Sequence, residues 1–441
     1  MPEFHQTFSF GRWRLCPEKA CLYLSYEVEG VGQMTERLTF PTFRIPDDPA
    51  RRNALTAACR LLHWLAAVSY LKMGLACTVR SQEARPDCRT AAFLRTTWLH
   101  GLAELAYVNG VSIQDRLHIE CDDIIPDNWR LQQPRRSLVP FGGGKDSIVT
   151  VEMLKERHKP MHLFVVGDSP VISRAAKKTG VPVYQVVRRL DAKLLQAEPG
   201  RFFNGHVPVT AINSAIAVVA AVLHGYQNII FSNERSADSH STINADGKPV
   251  NHQYSKSLAF ERDFQSQIRR TVSMDLRYFS LQRPWSELAI LKRFSKYSHY
   301  FDVFTSCNRN FHLAGSRNEK SLWCGECPKC RFVFLGLAPF VDKARLLQIF
   351  GRNLLNDPKQ LVGFEELLGV RGIKPFECVG EVIESRVAFS WLKNNLAWAG
   401  DHVIQMLAGK VVPTSVVEER DVLDFNQDHQ IPPDFLPHYV T

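Results

Sequence analysis

Ser137-Leu138-Val139-Pro140-Phe141-Gly142-Gly143-Gly144-Lys145-Asp146-Ser147 is the segment with the strongest structural signal in this chain. A short apolar run enters three consecutive glycines, and an amphipathic segment follows directly. Glycines permit positive φ and close backbone approach, so successive amides can point at phosphate oxygens where a helix begins. The order strand, glycine loop, helix therefore predicts a phosphate-binding turn in an α/β protein.

Short apolar strands alternate with helices around this loop. We predict strands at residues 137–141, 161–166, 181–187 and 228–231. Helices are predicted between them at residues 148–158, 171–179 and 209–224. Such alternation is typical of a parallel sheet covered by helices on both faces. The fold class that we expect is a doubly wound α/β nucleotide-binding layout.

The chain length leaves room for more than one core, and we predict three regions. Residues 1–130 form an N-terminal α+β domain, in which residues 8–43 alternate like a small antiparallel sheet and residues 53–73 and 90–108 have helical spacing. Residues 131–340 form the nucleotide-binding domain, which includes a long polar substrate loop at 232–254. Residues 341–441 read as mainly helical, with helices at 344–350 and within 369–392.

Composition favours a soluble enzyme and an anionic partner. The net charge is +9, but the basic residues are scattered and form no long Lys/Arg tail of the kind that binds nucleic acid. The 11 cysteines are an odd number in a chain without a secretory leader, so we expect reduced thiols or metal ligands. The longest apolar run is shorter than the roughly 20 residues of a membrane helix. We therefore expect a cytoplasmic protein with no membrane span.

The glycine loop differs from the two commoner phosphate loops, because the spacing of neither the Walker motif nor the dinucleotide fingerprint is present. It resembles the PP-loop of ATP pyrophosphatases, S-G-G-x-D-S, with Gly142 in place of the first serine. That resemblance implies the adenine nucleotide alpha hydrolase-like fold and cleavage of ATP between its α and β phosphates. The predicted phosphate ligands are the six residues Gly142, Gly143, Gly144, Lys145, Asp146 and Ser147. Asp146 is also the predicted Mg²⁺ ligand.

Three cysteines stand close together at spacings of three: Cys324, Cys327 and Cys330. Cys307 is available upstream as a fourth thiol. Thiolates so placed can reach one tetrahedral Zn²⁺, which would clamp the end of the nucleotide domain. An iron–sulfur cluster or a redox-active thiol pair is the alternative interpretation.

Further polar residues follow the predicted strands, where ligands bind in open α/β sheets. Asp168 comes after the second of these strands, and Asn233 and Glu234 come after the fourth. We predict that Asp168 and Asn233 help to bind the nucleotide. His240 and His252, in the long polar stretch, are candidate proton carriers near neutral pH.

Over its whole length the chain resembles the bacterial UDP-N-acetyl-α-D-muramoyl-L-alanyl-L-glutamate epimerase family, MurL. The segments that carry the resemblance are the glycine loop with Phe141, the run Phe231-Ser232-Asn233-Glu234-Arg235-Ser236, the run Trp323-Cys324-Gly325-Glu326-Cys327-Pro328-Lys329-Cys330, and the run Gly372-Ile373-Lys374-Pro375-Phe376-Glu377-Cys378-Val379-Gly380-Glu381. The glycine loop alone specifies only a superfamily. The other three segments, in this order, narrow the resemblance to this family.

The resemblance implies an ATP- and Mg²⁺-dependent isomerase of peptidoglycan synthesis, and therefore of cell wall biogenesis, cell shape and cell division. Its substrate would be UDP-N-acetylmuramoyl-L-alanyl-L-glutamate, whose terminal glutamate is inverted through an acyl-adenylate with release of AMP and pyrophosphate. An inversion needs a proton-transfer group on each face of Cα. The candidates for these groups are Glu234, His240, His252 and Cys378.

Two other functions remain open from the sequence. A PP-loop enzyme can adenylate a tRNA base or another carbonyl for thiolation or amidation, and the basic composition mildly favours this. No RNA-binding motif is recognisable, so we do not expect a nucleic-acid partner. A non-catalytic nucleotide sensor is the third interpretation. The sequence does not indicate the oligomeric state.

Overall fold

The centre of the protein is one large sheet with helices on both faces. The structure, a computed structural model, describes residues 2–198, 200–311 and 322–436. The strands are β1 Thr7–Cys16, β2 Cys21–Val28, β3 Gly32–Thr39, β4 Thr78–Ser81, β5 His118–Ile119, β6 Ser137–Pro140, β7 Met161–Val166, β8 Val183–Arg189, β9 Asn228–Phe231, β10 Thr242–Ile243, β11 Pro249–Val250 and β12 Arg277–Ser280. The helices are α1 Pro49–Ala66, α2 Val68–Leu71, α3 Cys88–Gly101, α4 Ala103–Val108, α5 Lys145–Lys155, α6 Pro170–Thr179, α7 Ala192–Leu195, α8 Val209–His224, α9 Leu258–Thr271, α10 Glu287–Phe294, α11 Pro328–Leu337, α12 Lys343–Phe350, α13 Leu361–Leu367, α14 Val382–Lys393, α15 His402–Leu407 and α16 Val416–Leu423.

The strand order explains where the site forms. Within the described ranges the large sheet has ten strands in the order β12-β9-β6-β7-β8-β3-β2-β1-β4-β5, and the first five are parallel to one another. The chain runs from β6 outward through β7 to β8, then returns to β9 on the other side of β6. In open α/β sheets a crevice forms at the carboxyl ends of strands where the order reverses in this way. The predicted α/β class, with a large and mostly parallel sheet, is confirmed.

The antiparallel strands β1, β2 and β3 do not form a sheet of their own. Strand β3 pairs antiparallel with β8, with Leu38 opposite Arg188, so the N-terminal strands extend the central sheet. Strand β12 was not predicted, because only two of its four residues, Tyr278 and Phe279, are apolar. The domain boundaries at residues 130 and 340 stay predictions.

Alternate residues of the central strands pack into two different cores. Leu138 of β6 lies in one core with α1 and α8, and Val139 lies in the other with α5 and α10. Helix α8 is almost wholly apolar and buried, since it lies between the sheet and α1. Both faces of the parallel strands are therefore covered, which fixes the position of the β6 carboxyl end.

One long helical segment has the length and composition of a membrane span. Among the described residues this is Pro49–Leu71, which comprises α1 and α2, with a mean hydropathy of 1.3. Of its most apolar window, 78% is buried inside the protein, and Leu55, Leu62 and Leu65 lie in the core. Packing against the sheet and α8 accounts for its apolar character.

Two regions differ from the sequence prediction. Residues 369–381 are not helical, because Gly372, Pro375 and Gly380 interrupt the segment, and helix α14 begins only at Val382. Cys88 and Cys121 are joined as a disulfide, so the prediction of reduced thiols is wrong for this pair. A backbone bridge between their neighbours Asp87 and Asp122 holds the two segments together, and a pairing of this kind has no signal in the sequence.

Candidate active site

The glycine loop joins the end of β6 to the start of α5. Gly143 has a φ of +75°, which a side chain would strain, and its carbonyl oxygen accepts the Thr305 amide at 3.2 Å. Gly144 is the N-cap of α5 and has an extended backbone. Amides in the first turn of a helix lack intrahelical acceptors, so this loop presents donors at the positive end of the helix dipole. A Cβ atom at Gly142 would meet nothing within 4 Å, so the space of the missing serine is open.

A cavity of about 370 Å³ lies beside this loop, at the carboxyl edge of β6, β7 and β9. It is built from the glycine loop, the polar run after β9, the segment 305–308 and the segment before α14. The polar side chains and glycines that line it are Gly142, Gly144, Asp146, Ser147, Thr210, Asn213, Ser232, Asn233, Glu234, Lys256, Thr305, Ser306, Asn308, Lys329 and Cys378. Seven of the twelve residues predicted for nucleotide binding or catalysis therefore line one cavity.

Lys145 lies behind the loop and outside the lining of the cavity. Its ammonium group is fully buried and forms ion pairs with Asp146 and with Glu287 at the start of α10. Glu287 also faces Lys329, whose Nζ atom lies 3.4 Å from Oε1. Burial alone would lower the pKa of Lys145, but the two carboxylates outweigh it and raise that pKa above its ordinary value. Lys145, which was predicted to contact phosphate, pairs with two carboxylates in this structure, and its phosphate contact stays a prediction.

Three carboxylates approach one another beside the cavity, and two of them, Asp146 and Glu234, are among its lining residues. One oxygen each of Asp146, Glu234 and Glu287 lies within 4.8 Å of the others. Burial raises the pKa of Glu234, the charge of Glu287 raises it further, and the result is about 7 in spite of the nearby lysines. Oxygen ligands at these separations suit Mg²⁺, which takes one or two carboxylates together with phosphate oxygens and water.

Cys378 lines the opposite wall, among cationic groups. Its Sγ atom accepts a hydrogen bond from Lys256 Nζ at 3.1 Å, and its carbonyl oxygen accepts one from Lys329. The thiol also hydrogen-bonds His252, which lies outside the lining residues. Burial would raise the pKa of Cys378, but Lys256, the bond with His252 and Lys329 lower it to about 5. A thiol with this pKa is ionised at neutral pH.

The four predicted cysteine ligands lie together. The Sγ atoms of Cys307, Cys324, Cys327 and Cys330 are all within 4.8 Å of one another. Two of these separations are 3.6 Å, between Cys324 and Cys330, and 3.4 Å, between Cys327 and Cys330. Tetrahedral coordination with Zn–S bonds of about 2.3 Å requires sulfurs nearly this far apart, so the donor set fits zinc.

Asp168 and His240 are also outside the set of residues that line the cavity. Asp168 is exposed and pairs with Arg189 at 2.6 Å, and it is not among the lining residues. His240 is exposed and also lies outside the lining. The nucleotide-binding role of Asp168 and the proton-transfer role of His240 stay predictions.

Sequence reasoning missed several charged groups of the site. Glu287, Lys256 and Lys329 contact predicted residues but belong to no motif around the glycine loop. Lys329 lies within the cysteine cluster, and this position was the one sequence feature that could have identified it as a site residue. Glu104 of α4, which hydrogen-bonds His252, comes from a helix that was assigned only to the N-terminal domain.

The fold and the site together define an α/β protein whose glycine loop begins a helix at the carboxyl edge of a parallel sheet. The family model for the MurL N-terminal domain matches residues 1–281, and that for the MurL C-terminal domain matches residues 303–422. The chain belongs to the MurL family.

Similar proteins cover nearly the whole chain. A relative from Xanthomonas oryzae pv. oryzae is 39% identical over 431 residues, which are 97% of this chain and 95% of that protein. A relative from Salinispora tropica is 40% identical over 88% of this chain and 84% of its own length. One from a Micromonospora species is 38% identical over 92% of this chain and 91% of its own length. All three are named UDP-N-acetyl-alpha-D-muramoyl-L-alanyl-L-glutamate epimerase.

Proposed function

We propose that this protein inverts the terminal L-glutamate of UDP-N-acetylmuramoyl-L-alanyl-L-glutamate to D-glutamate, with ATP and Mg²⁺, in the cytoplasmic synthesis of peptidoglycan precursors. The relatives, matched over most of their length, supply the substrate and the reaction by name. The observation that carries the chemistry is the cavity, where the glycine loop, the carboxylates of Asp146 and Glu234 and an ionised thiol meet. Phosphate chemistry and proton transfer can therefore take place in one site.

The need for ATP follows from the acidity of the α-proton. Removal of a proton beside a carboxylate would place a second negative charge next to the first. If the carboxylate oxygen attacks the α-phosphorus of ATP, the bond to the β-phosphate breaks and pyrophosphate leaves. The resulting acyl-adenylate has a neutral carbonyl that accepts the electron pair when the Cα proton is removed. Reprotonation from the other face and hydrolysis then release AMP and UDP-N-acetylmuramoyl-L-alanyl-D-glutamate.

Different lining residues suit different tasks in this reaction. The amides at Gly144 and the Ser147 hydroxyl provide donors for pyrophosphate at the helix N-terminus. Lys256 and Lys329 line the cavity and provide the positive charge that Lys145 does not. Lys145 holds Asp146 and Glu287 in place.

Asp146, Glu234 and Glu287 would hold Mg²⁺, which offsets negative charge on the phosphates when bound. Glu234 has a pKa near neutrality and lies in the cavity, so it is also a candidate for one of the two proton transfers.

The proposal includes the PP-loop type of fold. The order of the five parallel strands, with the glycine loop after the central strand β6, supports it. So does the position of the cavity at the point where the strand order reverses.

The proposal also includes a structural Zn²⁺ at the four cysteines. Cys307 is adjacent to Ser306, and Cys330 is adjacent to Lys329, and both of these neighbours line the cavity. A metal at this position would fix two walls of the site relative to each other, and it would take no part in the reaction.

The test is incubation with Mg-ATP and UDP-N-acetylmuramoyl-L-alanyl-L-glutamate, followed by measurement of AMP and of glutamate chirality after acid hydrolysis. We expect D-glutamate only with ATP, and AMP as the coproduct. Asp146→Asn should lower both rates by at least about 100-fold, because charge stabilisation at the phosphates is lost. Asp47→Asn, at an exposed position, is the matched control and should leave both rates unchanged.

AMP release without inversion would contradict the epimerase and favour the adenylating alternative. ATP binding with neither product would favour the nucleotide sensor.

A further inference from the structure

A chain of three polar groups leads into the cavity from outside it. Glu104 lies on α4, His252 follows β11, and Cys378 precedes α14. The Glu104 carboxylate hydrogen-bonds Nδ1 of His252, and the same imidazole hydrogen-bonds the Cys378 thiol. Three distant parts of the sequence are thus joined by two hydrogen bonds.

The charges around this chain favour a thiolate next to an imidazolium. Burial would lower the pKa of His252, but its bonds with Cys378 and Glu104 raise it to about 9. The ring of His206 packs against that of His252, with centroids 4.2 Å apart, and burial together with the charge of His252 lowers the pKa of the partly buried His206 to about 3, although Glu104 Oε2 lies 3.9 Å from its Nδ1 atom. His206 is therefore neutral, and His252 is the charged ring of the two.

The other charged groups near Cys378 also favour the thiolate form of its side chain. Lys256 donates to Sγ at 3.1 Å, and Lys329 donates to the carbonyl oxygen of the same residue. Burial, and then the charges of His252, Lys256 and Lys72, keep the pKa of His206 low. A thiol that served only to fill space would lie among apolar side chains and stay neutral, because burial disfavours the thiolate.

We propose that Cys378 is one of the two groups that transfer a proton at the glutamate Cα, and that Glu104 and His252 are positioning residues that keep its thiol ionised. The inference rests on the proposed epimerase function. In the direction in which Cys378 acts as base, the Cα–H bond breaks, an S–H bond forms, and the electron pair moves to the adjacent acyl carbonyl. In the other direction the S–H bond breaks and Cys378 returns the proton to Cα. No oxidant or further reactant is needed.

The first experiment measures the ionisation of Cys378 without substrate. Native protein is treated briefly with iodoacetamide between pH 4.5 and 9, and mass spectrometry quantifies alkylation of the Cys378 peptide. The thiolate is the reactive form, so the wild-type midpoint should lie near the pKa of about 5. Glu104→Gln should raise the midpoint by about one pH unit or more, because His252 loses its counter-charge. Glu83→Gln, at an exposed carboxylate, is the matched control and should leave it unchanged.

A wild-type midpoint above pH 8, or a midpoint that Glu104→Gln does not move, would overturn the positioning role.

The second experiment separates proton transfer from adenylation. Cys378→Ala should slow inversion by at least about 100-fold, the contribution expected of a general acid or base. AMP release should stay within about tenfold of wild type, since formation of the adenylate does not use the thiol. Cys77→Ala, at a free cysteine remote from the cavity lining, is the matched control.

Inversion by Cys378→Ala within about tenfold of wild type, or loss of AMP release in parallel with inversion, would overturn the proposal. Absence of inversion in the wild-type protein would instead refute the epimerase function, and the alkylation experiment would still report on the thiolate.

Discussion

Glu287 is buried between two lysines, and its replacement by glutamine removes the charge that both ammonium groups face. Its side chain is 1% exposed, that of Lys145 is 0% exposed, and that of Lys329 is 6% exposed. Removal of one partner of a buried ion pair leaves an uncompensated charge and costs about 3 to 5 kcal/mol. Lys145 keeps Asp146, and Lys329 keeps the carbonyl of Cys378, so the lower end of this range applies. We expect Glu287→Gln to lower the free energy of unfolding by about 3 kcal/mol.

Urea unfolding followed by far-UV circular dichroism measures this change. With an m value of about 3 kcal/mol/M, the midpoint should fall by about 1 M. The matched control is Glu83→Gln, whose partner Arg12 is largely exposed, and it should change the free energy by less than about 1 kcal/mol.

A double-mutant cycle isolates the ion pair. Lys145→Met and Glu287→Leu should each be strongly destabilising, but the double variant should be about 2 kcal/mol less destabilised than their sum. Additive losses, or a loss below about 1 kcal/mol for Glu287→Gln, would refute the assignment of a buried, mutually compensating pair.

Three further changes follow from particular contacts. Gly143→Ala should destabilise the protein by about 1 to 2 kcal/mol, because the φ of Gly143 is positive. Gly142→Ala should change stability little, because its Cβ would point into open space. Urea unfolding compares the two variants. Cys330→Ser should remove most of the one zinc per chain that we expect by atomic emission, whereas Cys77→Ser should retain it. Burial lowers the pKa of His63 to about 4, so the neutral ring contributes stability above pH 6.5 that is lost as the pH falls toward 4. Between pH 6.5 and 5, wild type should lose about 2 kcal/mol more than His63→Leu in urea unfolding.

Each of these three predictions can be contradicted by a specific result. Equal stability of the two glycine variants would remove the case for backbone strain in the loop. Wild-type protein without zinc, or Cys330→Ser with full zinc, would contradict the four-cysteine site. Parallel pH profiles for wild type and His63→Leu would show that the pKa of the ring is the same in the folded and unfolded protein, and would contradict its lowering by burial.

The elements nearest the glycine loop were predictable because each has a strong local pattern. Strands β6, β7 and β9 are short apolar runs bounded by polar residues, and α8 is a continuous apolar helix. The pairing of β3 with β8 was not predictable, since it joins residues about 150 positions apart through backbone hydrogen bonds that have no side-chain signature.

In the candidate site, too, some features were predictable from the sequence and others were not. Asn233 and Glu234 were found because they follow a strand that ends at the same edge as the glycine loop. The orientation of the Lys145 side chain was not predictable. It pairs with Glu287 outside the cavity lining, and Glu287 comes from a helix that is distant in sequence. Motif spacing reports which residues are neighbours along the chain, whereas the ionisation of Cys378 depends on which charges the fold places around it.

The most direct test of the central claim uses substrate labelled with ¹⁸O in the carboxylates of its terminal glutamate. The protein is incubated with unlabelled Mg-ATP, and mass spectrometry of AMP is combined with chiral analysis of glutamate. The account predicts D-glutamate together with AMP that carries one ¹⁸O, because the substrate carboxylate oxygen stays on phosphorus when water hydrolyses the acyl-adenylate. D-glutamate formed without ATP, or AMP without the label, would contradict it.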